Sequence, residues 1–431
     1  MRKLGFLLLL GALFMGMSFV AVAQETGTCN IEAPAEPTQV TMIGWTFPIM
    51  DFYASEIESC NQVENLDVNT QLLASADAQS EMRLAASNAG ASPYDIIHGS
   101  NNFIGELIAQ GWLLPLNDLI DKYSEQYDLA DIDPSLFGAV TVDGNIYGIP
   151  VVVNTQHFMY NKEILAAAGV EAPLTYDDVI ADCATLDKAA LGIDYSFAMV
   201  VSAGWAWRGE FYNMLFAYGG DILDENNMPV FNSPEGVAAL EKLMEVVNSC
   251  LGEEGILLST DDVQAGLANG SIAMAHLWAS RAAAMDDPDF ASVAGQIEFA
   301  PALYPTVDSP KRGGMAWADY LAIPAATSVD HDLLFQIIME ASDLQSQSAA
   351  AEFGLVSRNG AGEFAPRYSA ASLQTIAEGG PGINNPAVGL VNAAVEQFIP
   401  MVATGDMTAQ EALDAAAELY VTEATSQGYI K

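Results

Sequence analysis

The stretch that most constrains this chain runs from Asp143 to Gly169, DGNIYGIPVVVNTQHFMYNKEILAAAG. A turn dipeptide, Asp143-Gly144, leads into a β-rich run, Ile149 to Val153, which breaks on the polar residues Asn154-Thr155-Gln156. A second apolar run, His157 to Tyr160, ends at Asn161, a good helix N-cap, and the helix that follows stops at Gly169. A strand that pauses on polar residues and then resumes suits a chain crossing from one compact lobe to another.

The rest of the chain is consistent with two such lobes. Upstream, strands are expected at Val40–Gly44, Leu66–Leu73 and Tyr94–Ile97, with helices between them, a β-α-β-α-β alternation that predicts parallel pairing with helices on both faces. Downstream, Thr175 caps a helix, Phe197–Val201 reads as a buried strand, and Glu210–Tyr218 as a helix closed by two glycines. Ser233-Pro234-Glu235 opens another helix, and Ser271–His276 and Ile297–Pro301 are further strands. Tyr320–Pro324 is read as a strand returning to the first lobe, followed by one long helix, Asp330–Phe353, and two C-terminal helices.

The ends and the composition narrow the setting. Arg2-Lys3, the uncharged run Leu4–Val20 and Ala21-Val22-Ala23 predict a cleaved export signal over residues 1–23. Gly27-Thr28 before Cys29 is no lipobox, so a free periplasmic protein is expected. Removal of two bases leaves 12 basic against 56 acidic residues, a net charge of −44. Nucleic acid and anionic lipid are poor partners for such a surface. The acids are scattered, which reads as a solvated acidic exterior rather than a cation-binding cluster. The four cysteines, Cys29, Cys60, Cys183 and Cys250, predict disulfides in an oxidising compartment, with three pairings open. No spacing of histidines or cysteines predicts a metal, and no cofactor is expected.

Several segments resemble, in order, the extracellular solute-binding proteins of ABC importers, of the maltose-binding type. They are Tyr147-Gly148-Ile149-Pro150 with Tyr160-Asn161-Lys162, Gly111–Asp118, Gly219-Gly220 with Phe231–Gly236, Gly266–Met274, and Pro301–Pro305 through Gly313-Gly314. The Gly354–Arg358 segment departs from the family's pattern, lacking its proline. The resemblance implies an α/β, two-lobed periplasmic binding protein fold, each lobe a mostly parallel sheet flanked by helices, with a ligand cleft between. It divides the chain into a tail, 24–38, a first lobe of 39–153 plus 316–353, and a second of 154–315 plus 354–431. It further implies a monomeric receptor that closes on a sugar, oligosaccharide or sugar alcohol and delivers it to inner-membrane permease subunits. Polyamines and glycerol-phosphates are the competing ligands. A secreted carbohydrate-active enzyme ranks lower, since no nucleophile elbow, zinc motif or phosphate loop appears.

Ligands of open α/β sheets bind beyond the carboxyl ends of the strands. The loops there hold five of the six tryptophans: Trp45, Trp205, Trp207, Trp278 and Trp317. Indole faces suit the C–H face of a pyranose, and Thr46, Ser100, Asn101, Gln156, Arg208, Glu210, Arg281, Asp319 and Arg358 are the expected partners for its hydroxyls. Trp112, at a helix exit, is expected in the core.

Overall fold

The computed structural model describes residues 27–430 apart from 89, 203, 365, 384 and 386. The predicted export signal lies outside the described residues.

Among the described residues twelve strands are present: β1 Thr38–Trp45, β2 Leu66–Leu73, β3 Ile96–Ser100, β4 Thr141–Val142, β5 Asn145–Ile146, β6 Ile149–Asn154, β7 Gln156–Asn161, β8 Tyr195–Ala198, β9 Ile272–Trp278, β10 Ile297–Ala300, β11 Trp317–Ala322 and β12 Leu355–Val356. They form a six-stranded sheet ordered β12-β6-β11-β3-β1-β2, a four-stranded sheet ordered β10-β7-β9-β8, and the small β4-β5 hairpin. The polar break in the diagnostic stretch is where the chain leaves one sheet for the other: β6 belongs to the first and β7 to the second. Asn161 accepts from the amides of Glu163 and Ile164, capping the next helix. That helix ends at Gly169 with φ +70°, a conformation that favours glycine.

Both sheets are mixed rather than mostly parallel. β1 pairs parallel with β2 and β3, and β8 with β9, whereas β11 runs antiparallel to β3 and β6, and β7 antiparallel to β9 and β10. The reason is directional. β6 leads out of the first lobe and β11 leads back into it, so two neighbouring crossing strands must point in opposite senses.

Three further expectations are corrected. The helix predicted from Glu210 begins at Gly204 and runs to Ala217, so the presumed loop before it is helical. The long helix predicted to Phe353 is two, His331–Ala341 and Leu344–Ala350, because Asp343 caps a new start by accepting from the Ser346 amide. The change of lobe expected at Gly354 comes later, since β12 is the edge strand of the first sheet. The chain then passes to the helix Ser369–Glu378, which lies against the second sheet.

Each sheet carries its own apolar core. Tyr53, Ile57, Val151, Leu334 and Phe335 are among the residues filling one, and Phe197, Phe211, Leu215, Leu240 and Val391 the other. Disulfides join Cys29 to Cys60 and Cys183 to Cys250. The first staples the N-terminal segment to the end of the helix Pro48–Ser59, and the Asn30 amide donates to Glu340 Oε2 at 2.7 Å beside it.

Candidate functional site

The two crossing strands are pinned to one another where the sheets meet. The Thr155 hydroxyl donates to the Met315 carbonyl at 2.9 Å, and the Thr155 carbonyl accepts from the Ala279 amide at 2.8 Å. Next to it, Asn154 reaches to the 3-10 turn Ala279–Arg281. Its amide nitrogen donates to Ser280 Oγ at 3.1 Å, and its oxygen accepts from the Ser280 amide at 3.2 Å.

A cleft opens beside this junction, enclosing about 730 Å³, part of it open to solvent. Trp45, Phe47, Ser75, Gln79 and Ser100 line it from the first lobe; Trp205, Arg208, Thr260, Trp278, Ser280 and Arg281 from the second. Asn154, Trp317 and Asp319, on the crossing strands, complete the wall. A second, more polar chamber of about 1240 Å³ adjoins it and shares Gln79, Ser100 and Arg208.

Four of the six tryptophans thus face one space. Trp278 meets Trp317 edge to face with ring centres 5.1 Å apart, and Trp205 lies 6.5 Å from Trp278. Trp45 sits 4.1 Å from the ring of His98. The Trp317 indole N–H is buried with no partner among the described residues.

The polar groups are mostly engaged already. Arg281 pairs with Asp261 at 2.9 Å and donates to Gln264 Oε1 at 2.9 Å. Burial pulls its guanidinium below the usual arginine range, with Asp261 partly offsetting that. Arg208 pairs with Glu396 at 2.8 Å. Asp319 is 5% exposed and is held by His98, whose Nε2 lies 3.2 Å from Asp319 Oδ1. The arrangement offers flat apolar faces, guanidinium donors whose charge is already balanced, and one carboxylate acceptor.

Six expected site residues lie elsewhere. Trp207 is packed in the second lobe's core, and Trp112 in that of the first. Helical geometry explains the separation of Trp205 from Trp207: two residues on a helix point about 200° apart, so only one can face the cleft. Arg208, three residues from Trp205, shares its face. Glu210 and Gln156 satisfy each other beneath the surface, Gln156 Nε2 donating to Glu210 Oε1 at 2.7 Å. Asn213 donates to Gln156 Oε1 at 2.8 Å, and His276 Nδ1 lies 3.1 Å from Glu210 Oε2. Arg358, 2% exposed, donates to the backbone carbonyls of Ser342, Asp128 and Tyr127 at 2.8, 3.0 and 2.9 Å. It clasps loops of the first lobe. Thr46 is exposed, with its hydroxyl donating to Asp51 at 2.8 Å, and Asn101 is buried at the start of the helix Asn101–Ala109.

Six lining residues were not among the expected ones: Phe47, Ser75, Gln79, Asn154, Thr260 and Ser280. Ser75 and Gln79 follow the carboxyl end of β2, so the rule that selected the other loops extends to them.

Residues 61–328, more than half of the chain, match the model of the bacterial extracellular solute-binding proteins. An uncharacterized ABC transporter extracellular-binding protein of Pyrococcus horikoshii is 27% identical over 233 residues, 52% of this chain and 53% of its own. A mannitol-binding protein of Pseudomonas aeruginosa is 26% identical over 225 residues, 51% of this chain and 49% of its own. The chain spans about half the length of these curated relatives in the matched stretch. Among solved structures, the maltose-bound MalE3 of T. maritima superposes with a TM-score of 0.76 at 19% identity, covering 89% of this chain and 99% of its own. A solute-binding protein of Agrobacterium vitis with bound D-mannitol gives 0.75 at 23%, covering 91% and 100%. Two mixed-sheet lobes, a tryptophan-lined cleft at their junction and the match over residues 61–328 lead to one statement: the chain belongs to the bacterial extracellular solute-binding protein family.

Proposed function

We propose that this protein is an exported receptor that captures a neutral sugar, oligosaccharide or polyol between its lobes and delivers it to the permease of an ABC importer. The observation that carries the reading is the convergence of Trp45, Trp205, Trp278 and Trp317 on one cleft. The C–H faces of a sugar pack on indoles, while Asp319 and the serines exchange hydrogen bonds with its hydroxyls. The mannitol-binding relative and the mannitol- and maltose-bound structures support the same class.

The competing ligands fit the cleft less well. Its charged lining among the described residues is two arginines and one aspartate, so the acidity of the chain is not gathered there and a polyamine finds little to attract it. Both arginines already have carboxylate partners, which leaves no free positive cluster for a phosphate. Glycoside hydrolysis needs two carboxylates across one cleft, and Asp319 is the sole carboxylate among the described lining residues.

Ligand closes the lobes only through a higher affinity for the closed state than for the open one. We place the receptor in the periplasm as a monomer; among the described residues no helix is long and apolar enough to cross a membrane. Isothermal calorimetry against D-glucose, maltose, maltotriose, D-mannitol, ribitol, spermidine and glycerol 3-phosphate tests the reading. Saturable one-to-one binding of a sugar or polyol is expected. Binding of spermidine or glycerol 3-phosphate alone overturns it.

A further inference from the structure

We propose that His98, a side chain outside the cleft lining, is the positioning residue that fixes both Asp319 and Trp45 for recognition of a hydroxyl-bearing ligand. The inference rests on the sugar-receptor reading and deepens it by locating a determinant of specificity behind the cleft wall.

His98 is fully buried. β3 and β11 are antiparallel, with Ser100 opposite Asp319 and His98 opposite Leu321, so His98, Ser100 and Asp319 share one face of the sheet. On its other edge β11 pairs with β6, where the register shifts between Asp319 and Tyr320 and leaves Val151 of β6 as the extra residue. Asp319 has one protein side-chain partner among the described residues, His98. A carboxylate offers about four acceptor positions, and one buried with a single partner is under-satisfied. A ligand hydroxyl supplies the missing donor. With the ring proton on Nε2, the tautomer that a carboxylate acceptor imposes, His98 donates to Oδ1 and leaves Oδ2 for the ligand.

The same imidazole supports Trp45. The two rings lie 4.1 Å apart at 53°, and the Phe47 ring is 5.8 Å from His98. Gly44 makes room for this wedge, since a Cβ there would lie 2.9 Å from the Cβ of His98. One side chain therefore sets an apolar wall and a hydroxyl acceptor at a fixed separation. That geometry selects a ligand that presents a C–H face and a hydroxyl donor together.

Two substitutions separate the two contacts. H98F keeps a ring beneath Trp45 and removes the donor; H98Q keeps a donor within reach of Asp319 and removes the ring. Calorimetry uses whichever of D-glucose, maltose, D-mannitol and ribitol the wild type binds most tightly, together with its monodeoxy analogues. H98F is expected to weaken that ligand by about tenfold or more, and H98Q to recover affinity to within about threefold. One monodeoxy analogue, penalised in the wild type, is expected to lose that penalty in H98F. Should the H98F protein not fold, H98N, whose shorter amide falls short of Asp319, replaces it with the same expectation. Unchanged affinity in a folded H98F protein overturns the proposal, as does an H98F protein that keeps the full monodeoxy penalty, and both outcomes leave the sugar reading standing. A wild type that binds none of the four probes overturns both.

Discussion

Trp278 stands at the centre of the indole cluster, and its removal gives the sharpest test of the proposed stacking of a sugar in the cleft. It ends β9, meets Trp317 edge-on at 5.1 Å and has Trp205 at 6.5 Å on another side. A stacked pyranose covers one face of the indole. That is roughly a third of the 150–250 Å² an aromatic side chain buries, or about 60 Å². At about 25 cal/mol per Å² this contributes about 1.5 kcal/mol. The oriented contact adds about 0.5 kcal/mol. Trp278→Ala should therefore weaken binding by about 2 kcal/mol, which raises Kd about thirty-fold. Trp278→Phe, which keeps a smaller ring in place, should lose about half of that free energy. Calorimetry on the wild type and both variants, with thermal melts to establish that each is folded, reads the effect. A Kd for the Trp278→Ala protein within twofold of wild type refutes the stacking argument.

Other substitutions separate fold from site. Trp207→Ala empties a core position and should cost about 3–5 kcal/mol in denaturant unfolding, while ligand affinity in the folded protein stays unchanged. His157 is buried, which pushes its imidazole down to about 4. The unfolded chain takes up that proton from pH ~6.5 downwards, so the stability this group contributes is present above pH ~6.5 and lost as pH falls towards 4. Unfolding curves at pH 7 and pH 4.5 should show a smaller difference for His157→Gln than for the wild type. Reduction of Cys183–Cys250, which closes 67 residues of sequence, should cost about 4 kcal/mol in the chain-entropy account and lower the melting temperature without changing Kd. Tyr429→Ala, in the polar chamber beside the tryptophans, should leave a monosaccharide unaffected and weaken a longer oligosaccharide if that chamber takes the extra units; equal binding of maltotetraose in wild type and variant refutes that extension.

The crossing between sheets was legible because its signals are local. The turn at Asp143-Gly144, the polar break at Thr155, the Asn161 cap and the Gly169 stop each act within a few residues. The start of the helix Gly204–Ala217 was not, because nearly all of its residues from Ala206 onwards are buried. A helix apolar on every side carries no 3.6-residue alternation to read, and its first turns, rich in Trp and Gly, pass for a loop. That misreading brought Trp207 and Glu210 into the site along with Trp205 and Arg208. Arg358 was misplaced for a different reason. An arginine that donates to three backbone carbonyls has no sequence-local partner to betray its role, since Tyr127 and Asp128 lie some 230 residues away. Mixed pairing escaped the β-α-β rule because that rule describes strands whose chain stays in one sheet.

The hydrogen bond from Thr155 to the Met315 carbonyl ties together two backbone segments 160 residues apart at the waist of the molecule. A bond of this kind contributes about 1 kcal/mol, enough to favour the two crossings moving together. In the proposed receptor, a swing of one half against the other then shares one pivot at Thr155.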